Sequence, residues 1–211
     1  MKEEIIKALS WRYAVQVFDQ SKKIAEEDLN IILDSGRLAP SSIGIEAWKF
    51  IVVENEEIRA KLREAGYGQP KISEASHLIV LARRTDVREH ITNERIERTA
   101  KIQQQDPLEL DPLKGMLEGA IANRSDEVLD AWIASQVYIP LGIMIEAASL
   151  LQIDSAPMEG FSPEKFDEIL GLKEKNLSAT VLLALGYRGD DPVAKRPKVR
   201  REFSEVVEFV K

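Results

Sequence analysis

Residues 126–151 read DEVLDAWIASQVYIPLGIMIEAASLL. They predict one long helix whose apolar side chains cover most of its circumference. A helix that is apolar nearly all round must be buried nearly all round. In a chain of 211 residues, one economical solution is to bury part of this helix against another subunit. Pro140 lies inside the segment and predicts a kink or a lost backbone hydrogen bond.

The segments on both sides of this helix alternate between helical and strand patterns. Short apolar runs predict buried strands at 50–53, 77–82 and 179–185. Apolar residues at helical spacing predict a first helix ending near Ser10 and an exposed, charged helix at 87–104. Further helices are predicted at 26–38, at 55–65 with Asn55 as N-cap, after Asp111-Pro112, and at 163–170, stopped by Gly171. Helices interleaved with strands predict an α/β or α+β sandwich around one mixed sheet.

Composition limits the class of protein. With 44% apolar residues, the chain predicts one globular domain over residues 1–211. The absence of cysteine excludes a disulfide framework, a thiolate metal site and a cysteine nucleophile. No signal peptide or free membrane span is recognised, so we expect a cytoplasmic protein without a membrane partner. The net charge of −7 argues against nucleic acid as a partner.

A basic cluster near the C-terminus, residues 195–201, is the local exception to this acidity. It is short and is followed by the apolar-rich tail FSEVVEFV, residues 203–210. Such a tail is expected to dock on a surface, and this would hold the basic cluster in place. A fixed pair of cations suits a single phosphate group better than a nucleic-acid duplex.

Several common catalytic patterns are missing from the sequence. It contains no P-loop, no Rossmann GxGxxG and no GxSxG elbow. Its two histidines, His77 and His90, have no second histidine at ligand spacing, so no metal site is expected. Any redox or group-transfer activity would therefore need a bound cofactor.

Residues 39–50, APSSIGIEAWKF, form a connection between a predicted helix and a predicted strand. Pro40 ends the helix, because proline disfavours the helical conformation for the residue before it. Ser41, Ser42 and Gly44 supply small side chains, hydroxyls and a permissive backbone. Either a plain turn or a loop that approaches a ligand fits these residues.

Five separated segments resemble, in their order, the motifs of the nitroreductase family of FMN-dependent oxidoreductases, over essentially the whole chain. They are Ser10-Trp11-Arg12-Tyr13-Ala14, Pro40-Ser41-Ser42-Ile43-Gly44, Gln69-Pro70-Lys71, Pro157-Met158-Glu159-Gly160-Phe161 and Lys198-Val199-Arg200. The resemblance implies an α+β fold: a three-layer α/β/α sandwich around a mixed, mainly antiparallel sheet. It also implies a long buried central helix and a C-terminal tail that docks on a partner subunit.

The same resemblance implies a function. The chain would pass hydride from NADH or NADPH through N5 of FMN to nitroaromatic or quinone-type acceptors, by a ping-pong mechanism. No protein acid or base is needed for the first half-reaction, so no catalytic side chain is expected. The protein would orient the stacked partners and tune the flavin.

The resemblance also implies roles for individual residues. Arg12, Lys198 and Arg200 would hold the FMN phosphate, and charge-assisted hydrogen bonds suit that task. Tyr13 and Ala14 would line the ribityl and phosphate end. Lys71 and Gln69 would lie at the pyrimidine edge of the flavin, where a cation stabilises the reduced form. The segment Pro157-Met158-Glu159-Gly160 would run under the ring, with the N–H groups of its last two residues near N5 and O4.

A homodimer is implied as well, with Pro40, Ser41, Ser42 and Gly44 contributed to the flavin site by the second subunit. Some residues depart from the family pattern. Many relatives carry Asn in place of Gly44, Gln-Pro in place of Glu46-Ala47, and some a lysine near the flavin in place of Gln16. No Phe, Trp or Tyr lies between Tyr67 and Trp132, so Met116, Leu117 or another aliphatic would replace an aromatic lid.

Three other functions stay open at this point. A flavin-binding storage or sensing protein with little turnover would use the same binding residues. A specialised flavin enzyme such as a dehalogenase is a second alternative. A nucleic-acid-binding module built on residues 195–201 is disfavoured by the overall acidity.

Overall fold

A computed structural model describes residues 2–211. The four strands are β1 (Trp48–Val53), β2 (His77–Arg84), β3 (Asp154–Met158) and β4 (Leu177–Gly186). The nine helices in this range are α1 (Lys2–Trp11), α2 (Glu26–Arg37), α3 (Glu56–Ala65), α4 (Lys71–Glu74), α5 (Thr92–Gln103), α6 (Asp111–Ala122), α7 (Asp126–Leu150), α8 (Pro163–Leu170) and α9 (Phe203–Val206). Short 3₁₀ turns lie at Ser42–Gly44, Pro107–Leu110 and Lys173–Lys175, and a π-helical turn, Val87–Ile91, leads into α5.

The four strands form one sheet in the order β1-β2-β4-β3, and every neighbouring pair is antiparallel. The sequence predicted a mixed, mainly antiparallel sheet. Within residues 2–211 the parallel component is one isolated bridge, between Ala14 and Ser155. This bridge brings the segment after α1 to the outer edge of β3.

Helices cover both faces of the sheet, which confirms the predicted three-layer α+β fold. Leu78 and Val80 of β2 point to one face and Ile79 and Leu81 to the other, and all four are fully buried. The first face packs on Leu62 of α3, Ile72 of α4 and Phe166 of α8, and the second on Ile32 of α2 and Val137, Leu141 and Met144 of α7. Two buried faces explain why β2 is an unbroken apolar run.

The predicted long helix is confirmed as α7, a 25-residue helix. By length and composition alone α7 could cross a membrane, but here it packs on the sheet and α2 as a core helix. Its burial is incomplete, because Val128, Tyr138 and Leu150 stay 40–54% exposed. Pro140 lies within the helix and has no N–H to donate to the carbonyl of Gln136, as predicted.

Most other predicted elements are found within a few residues of their expected ends. Asn55 caps α3 by accepting a 2.9 Å hydrogen bond from the N–H of Ile58. Gly171 ends α8 in a left-handed conformation, with a φ of 58°. The prediction was wrong for 154–158, where β3 forms in a segment that showed no strand pattern, and the predicted single helix at 87–104 begins as a π turn.

The C-terminal tail packs against little of its own chain. Every residue from 198 to 211 is exposed, and Phe203, Phe209 and Val210 are each more than two-thirds accessible. The two phenylalanine rings lie 6.5 Å apart and contact each other. The tail therefore presents an apolar surface to solvent in the single chain.

Candidate cofactor site

Three cations meet where α1 ends and the C-terminal segment passes it. The Nζ of Lys198 donates hydrogen bonds of 2.5 Å to the backbone carbonyls of Leu9 and Arg12, near the C-terminal end of α1. Burial, and then the positive charge of Arg200, lower the pKa of Arg12. Burial also lowers the pKa of Lys198, followed by the charges of Arg12 and Arg200. The three predicted phosphate ligands are thus brought together.

This cationic cluster lacks a balancing acid. Across residues 2–211, no carboxylate forms an ion pair with Arg12, Lys198 or Arg200. The Nε of Arg12 is buried and has no hydrogen-bond partner, which is rare for a buried donor. Lys198 still has one N–H free for another acceptor. These donors fit a phosphate group well, since a dianion would satisfy them and relieve the repulsion among the cations.

A buried carboxylate, Asp191, ties the segment after α1 to the C-terminal segment. Its Oδ2 accepts hydrogen bonds from the Tyr13 hydroxyl at 3.0 Å and from the N–H groups of Gln16 and Val17 at 2.7 and 3.2 Å. Its Oδ1 accepts a 3.0 Å bond from the N–H of Val193. The sequence reasoning missed Asp191, because nothing in its spacing distinguishes it from other acids in turns.

Tyr13 also lies against a partly buried ion pair. The guanidinium of Arg188 lies 4.7 Å from the ring centre of Tyr13 and 4.2 Å from that of Trp11. Two of its nitrogens donate to Asp154, at 2.9 and 2.5 Å. Burial and the hydrogen bond to Asp191 raise the pKa of Tyr13. Tyr13, which follows Arg12 in the chain, therefore acts as a neutral hydrogen-bond donor to Asp191.

Lys71 and Gln69 extend the site toward β3. The Nζ of Lys71 donates a 3.3 Å hydrogen bond to Oε1 of Gln16, whose own amide donates to the carbonyl of Ala14 at 2.8 Å. The Nε2 of Gln69 donates to the carbonyl of Gly160 at 2.5 Å. Burial lowers the pKa of Lys71, opposed in part by the charge of Asp191. The segment Gln69-Pro70-Lys71 is thus hydrogen-bonded directly to the segment that contains Gly160 and, through the side chain of Gln16, to Ala14.

The segment at Pro157–Glu159 borders an open cleft. Pro157 and Met158 end the edge strand β3, where a proline is tolerated. A cleft of about 430 Å³ lies between this segment and α7, lined by Leu141, Gly142, Ile145 and Val181 in addition. Tyr138 donates a 2.6 Å hydrogen bond to Glu159 at its mouth. A Cβ at Gly160 would meet only the Nε2 of Gln69, at 3.5 Å, so the chain itself does not require glycine there.

The 41–46 loop contacts a different part of the molecule. The N–H of Ser42 donates to Oε1 of the buried Gln136 on α7 at 2.7 Å, and the N–H of Glu46 donates to Oγ of Ser41 at 2.9 Å. Ile43, Gly44 and Glu46 all have positive φ values, between 44° and 67°. No hydrogen bond within residues 2–211 links this loop to the cationic cluster. Its assignment to the site of a second subunit stays a prediction.

The two named replacements for an aromatic lid differ in the structure. Leu117 is fully buried in a small core with Ile96, Ala100 and Leu110. Met116 is half exposed on the outer side of α6. Leu117 therefore cannot cover a substrate in this conformation, whereas Met116 is free to contact one.

Fold and site together define a class of protein: a three-layer α+β sandwich with a cluster of three cations where the end of α1 meets the C-terminal segment. Comparison with known proteins makes this specific, because the nitroreductase family profile matches residues 9–187. The chain belongs to the nitroreductase family.

Similar proteins cover the chain from end to end. A Staphylococcus haemolyticus protein, provisionally named an NAD(P)H nitroreductase, is 36% identical over 218 residues, covering 100% of this chain and 99% of its own. A crystal structure from Bacillus subtilis, titled as a provisional nitroreductase, superposes with a TM-score of 0.87 at 20% identity and full coverage of both chains. A nitroreductase from Exiguobacterium sibiricum, solved in complex with FMN, superposes with a TM-score of 0.81 at 24% identity, covering 99% of this chain and 96% of its own.

Proposed function

We propose that this protein is an FMN-dependent NAD(P)H oxidoreductase that reduces nitroaromatic or quinone-type acceptors. The observation that carries the proposal is the cationic cluster of Arg12, Lys198 and Arg200, which has a buried, unpartnered donor and no carboxylate. Support comes from the relatives that bear the name NAD(P)H nitroreductase and from the neighbour solved with FMN.

Bound FMN would supply the redox chemistry by accepting a hydride at N5 and giving two electrons to an acceptor. For a nitroaromatic, NAD(P)H and a proton yield NAD(P)⁺, a nitroso product and water. For a quinone, the same reductant yields the hydroquinone. The protons come from solvent, and the oxygen lost by the nitro group leaves as water. No side chain of this protein is therefore assigned as a catalytic acid or base.

The described residues divide the binding task among them. Arg12, Lys198 and Arg200 would hold the phosphate through charge-assisted hydrogen bonds. Within residues 2–211 the neutral Gln16 amide is the one hydrogen-bond partner of the Lys71 ammonium group, whose charge would be available to the pyrimidine edge of the flavin. Glu159, next to Gly160 in the chain, borders the cleft beside α7, where a planar ring system would lie.

We infer that two copies of this single domain, residues 1–211, assemble into a homodimer. The support is a set of apolar side chains left exposed on α1, α7 and the tail: Ile5, Ile6, Leu9, Val128, Leu150, Phe203, Val206, Phe209 and Val210. Exposed apolar area on this scale marks an interaction surface. A second copy would cover it and would bring its own 41–44 loop to the flavin site.

The test is a visible spectrum of the purified protein, before and after incubation with FMN, followed by anaerobic titration with NADH and NADPH. We expect a bound-flavin spectrum that bleaches rapidly with one of the two nucleotides and recovers on addition of a quinone or nitroaromatic. Protein that stays colourless after incubation with FMN would overturn the proposal. Flavin that binds but does not bleach would favour storage or sensing instead.

A further inference from the structure

Arg95, on α5, occupies an unusual place against the 41–46 loop. Gly44 has a φ of +67°, and a Cβ built on it would lie 2.9 Å from Nη2 and 3.1 Å from Cζ of Arg95. The guanidinium thus fills the space that a side chain at position 44 would take. Only glycine allows the loop and the guanidinium to approach this closely.

The charge of Arg95 is incompletely balanced. Its nearest carboxylate oxygen is Oε1 of Glu46, 3.6 Å from Nη1, while Oε2 of the same residue accepts a 2.6 Å hydrogen bond from Arg98. Two guanidinium groups therefore share the Glu46 carboxylate, and the shorter contact belongs to Arg98. In the part of the chain described, Nε of Arg95 is buried without a hydrogen-bond partner.

The side chain is still within reach of a ligand. Its exposed fraction is 27%, and that of Arg98 is 40%. One hydrogen bond, from the N–H of Ser42, holds the 41–46 loop to Gln136 of α7, so the Arg95 guanidinium lies against a loop that is tied to the core helix. Because α5 and α6 contain no Phe, Trp, Tyr or His, recognition of a reactant from these helices depends on charge and aliphatic contact rather than on stacking.

We propose that Arg95 is a specificity-determining residue that favours reactants carrying a compact anionic group. The proposal rests on the proposed function, which places the 41–44 loop at the flavin site. Guanidinium groups bind carboxylates and phosphates through paired, charge-assisted hydrogen bonds. The anion has two possible sources in the reaction: a carboxylate on the acceptor, or the 2′-phosphate that distinguishes NADPH from NADH.

The test compares matched reactants with the FMN-loaded protein and its Arg95→Met variant. The acceptor pair is 4-nitrobenzoate and 4-nitrobenzamide, which carry the same nitro group with and without a negative charge. The donor pair is NADPH and NADH, and the rate of anaerobic flavin bleaching is measured with each. Benzoate, which cannot be reduced, serves for direct binding by calorimetry.

We expect Arg95→Met to lower kcat/KM for 4-nitrobenzoate about tenfold and to weaken benzoate binding by a similar factor, with 4-nitrobenzamide unchanged. A loss confined to NADPH would support the same assignment and identify the donor phosphate as the source. Arg95→Lys should keep part of the preference, since it retains the charge without the paired donors. Glu46→Gln should raise the preference, because it removes the competing carboxylate.

Lys101→Met is the matched control, because Lys101 is an exposed cation on the same helix. Lys101→Met should leave unchanged both the ratio of kcat/KM for 4-nitrobenzoate and 4-nitrobenzamide and the ratio of bleaching rates for NADPH and NADH. If Arg95→Met and Arg95→Lys bind FMN but change the charged and uncharged reactants equally, or change neither, the Arg95 assignment is overturned and the proposed function stands. If the unsubstituted protein fails to bind FMN, the proposed function falls, and the Arg95 assignment falls with it.

Discussion

The hydroxyl of Tyr13 donates a 3.0 Å hydrogen bond to the carboxylate of Asp191, joining positions 178 residues apart in the chain. Because the same oxygen also accepts the N–H groups of Gln16 and Val17, one side chain fixes the backbone that follows Arg12. Asp191 lies seven positions before Lys198. It therefore sets the distance between the two segments that supply the cations of the cluster.

Replacing Asp191 with asparagine should destabilise the fold and weaken cofactor binding together. An amide offers one acceptor oxygen, and its NH₂ group would face at least one of the four donors that now point at the carboxylate. We expect a loss of about 1.5–3 kcal/mol in the free energy of unfolding, measured by urea denaturation. Asp190→Asn is the control, because Asp190 is exposed. Equal effects of the two substitutions would contradict the role given to Asp191.

The same carboxylate predicts a pH dependence. Burial alone would raise the pKa of Asp191, but the hydrogen bonds from Val193, Gln16 and Tyr13 outweigh it and hold the pKa below its ordinary value. The unfolded chain therefore binds this proton more readily, so the stabilisation is complete above pH ~4 and is lost as the pH falls through the lower, folded-state pKa. The difference in unfolding free energy between the natural protein and Asp191→Asn should shrink on going from pH ~6 to pH ~3. A difference that grew toward acid pH would contradict this sign.

Removing one of the proposed phosphate ligands should weaken the binding of FMN much more than that of riboflavin, which lacks the phosphate. Lys198→Ala and Arg200→Ala should each reduce FMN affinity by about tenfold or more, because a hydrogen bond to a charged group contributes about 1.5–3 kcal/mol. Fluorescence titration with both flavins measures the ratio, and Arg201→Ala serves as the neighbouring exposed control. Parallel losses for the two flavins would move the phosphate site elsewhere.

Much of the fold could be predicted because its signals are local. The apolar residues around α7 and the unbroken run of apolar residues in β2 both indicate that these elements are buried on more than one side. The strand β3 could not be found this way, since its sequence, DSAPM, has no apolar alternation and includes a proline. Its extended conformation comes from pairing with β4, a contact made over more than 20 residues of sequence.

The residues of the candidate site also fall into two groups: those that a sequence motif could predict and those that depend on contacts between distant positions. Residues of motif type, such as Arg12, Lys71 and Lys198, were predicted from the resemblance and are brought to one region by the fold. Asp191, Gln136 and Arg95 were missed, because their importance comes from hydrogen bonds and contacts between distant positions. A lone acid, amide or arginine in a turn or helix carries no spacing signal that separates it from ordinary surface residues.

The tail predicts a dependence of assembly on two aromatic residues. Phe203 and Phe209 are 68% and 73% exposed in the single chain and contact each other, so together they present one apolar surface. Changing both to serine should shift the proposed dimer toward monomer in light scattering at micromolar concentration. Leu108→Ser is the control, since Leu108 is 75% exposed in a different region. An unchanged dimer would exclude the tail from the interface.

Lys71 predicts a change in the redox behaviour of bound flavin. Burial lowers the pKa of this lysine, and its hydrogen-bond partner, Gln16, is uncharged. A nearby anion would therefore stabilise its ammonium group. Reduced flavin carries negative charge at the pyrimidine edge, which a cation stabilises. Lys71→Met should therefore lower the midpoint potential of bound FMN by about 30–60 mV; for two electrons, about 30 mV is equivalent to about 1.4 kcal/mol. Anaerobic dye-equilibration measures it, with Lys61→Met on the solvent face of α3 as the control. If FMN is retained and the potential of Lys71→Met equals that of the control, then Lys71 lies too far from the flavin ring to interact with its charge.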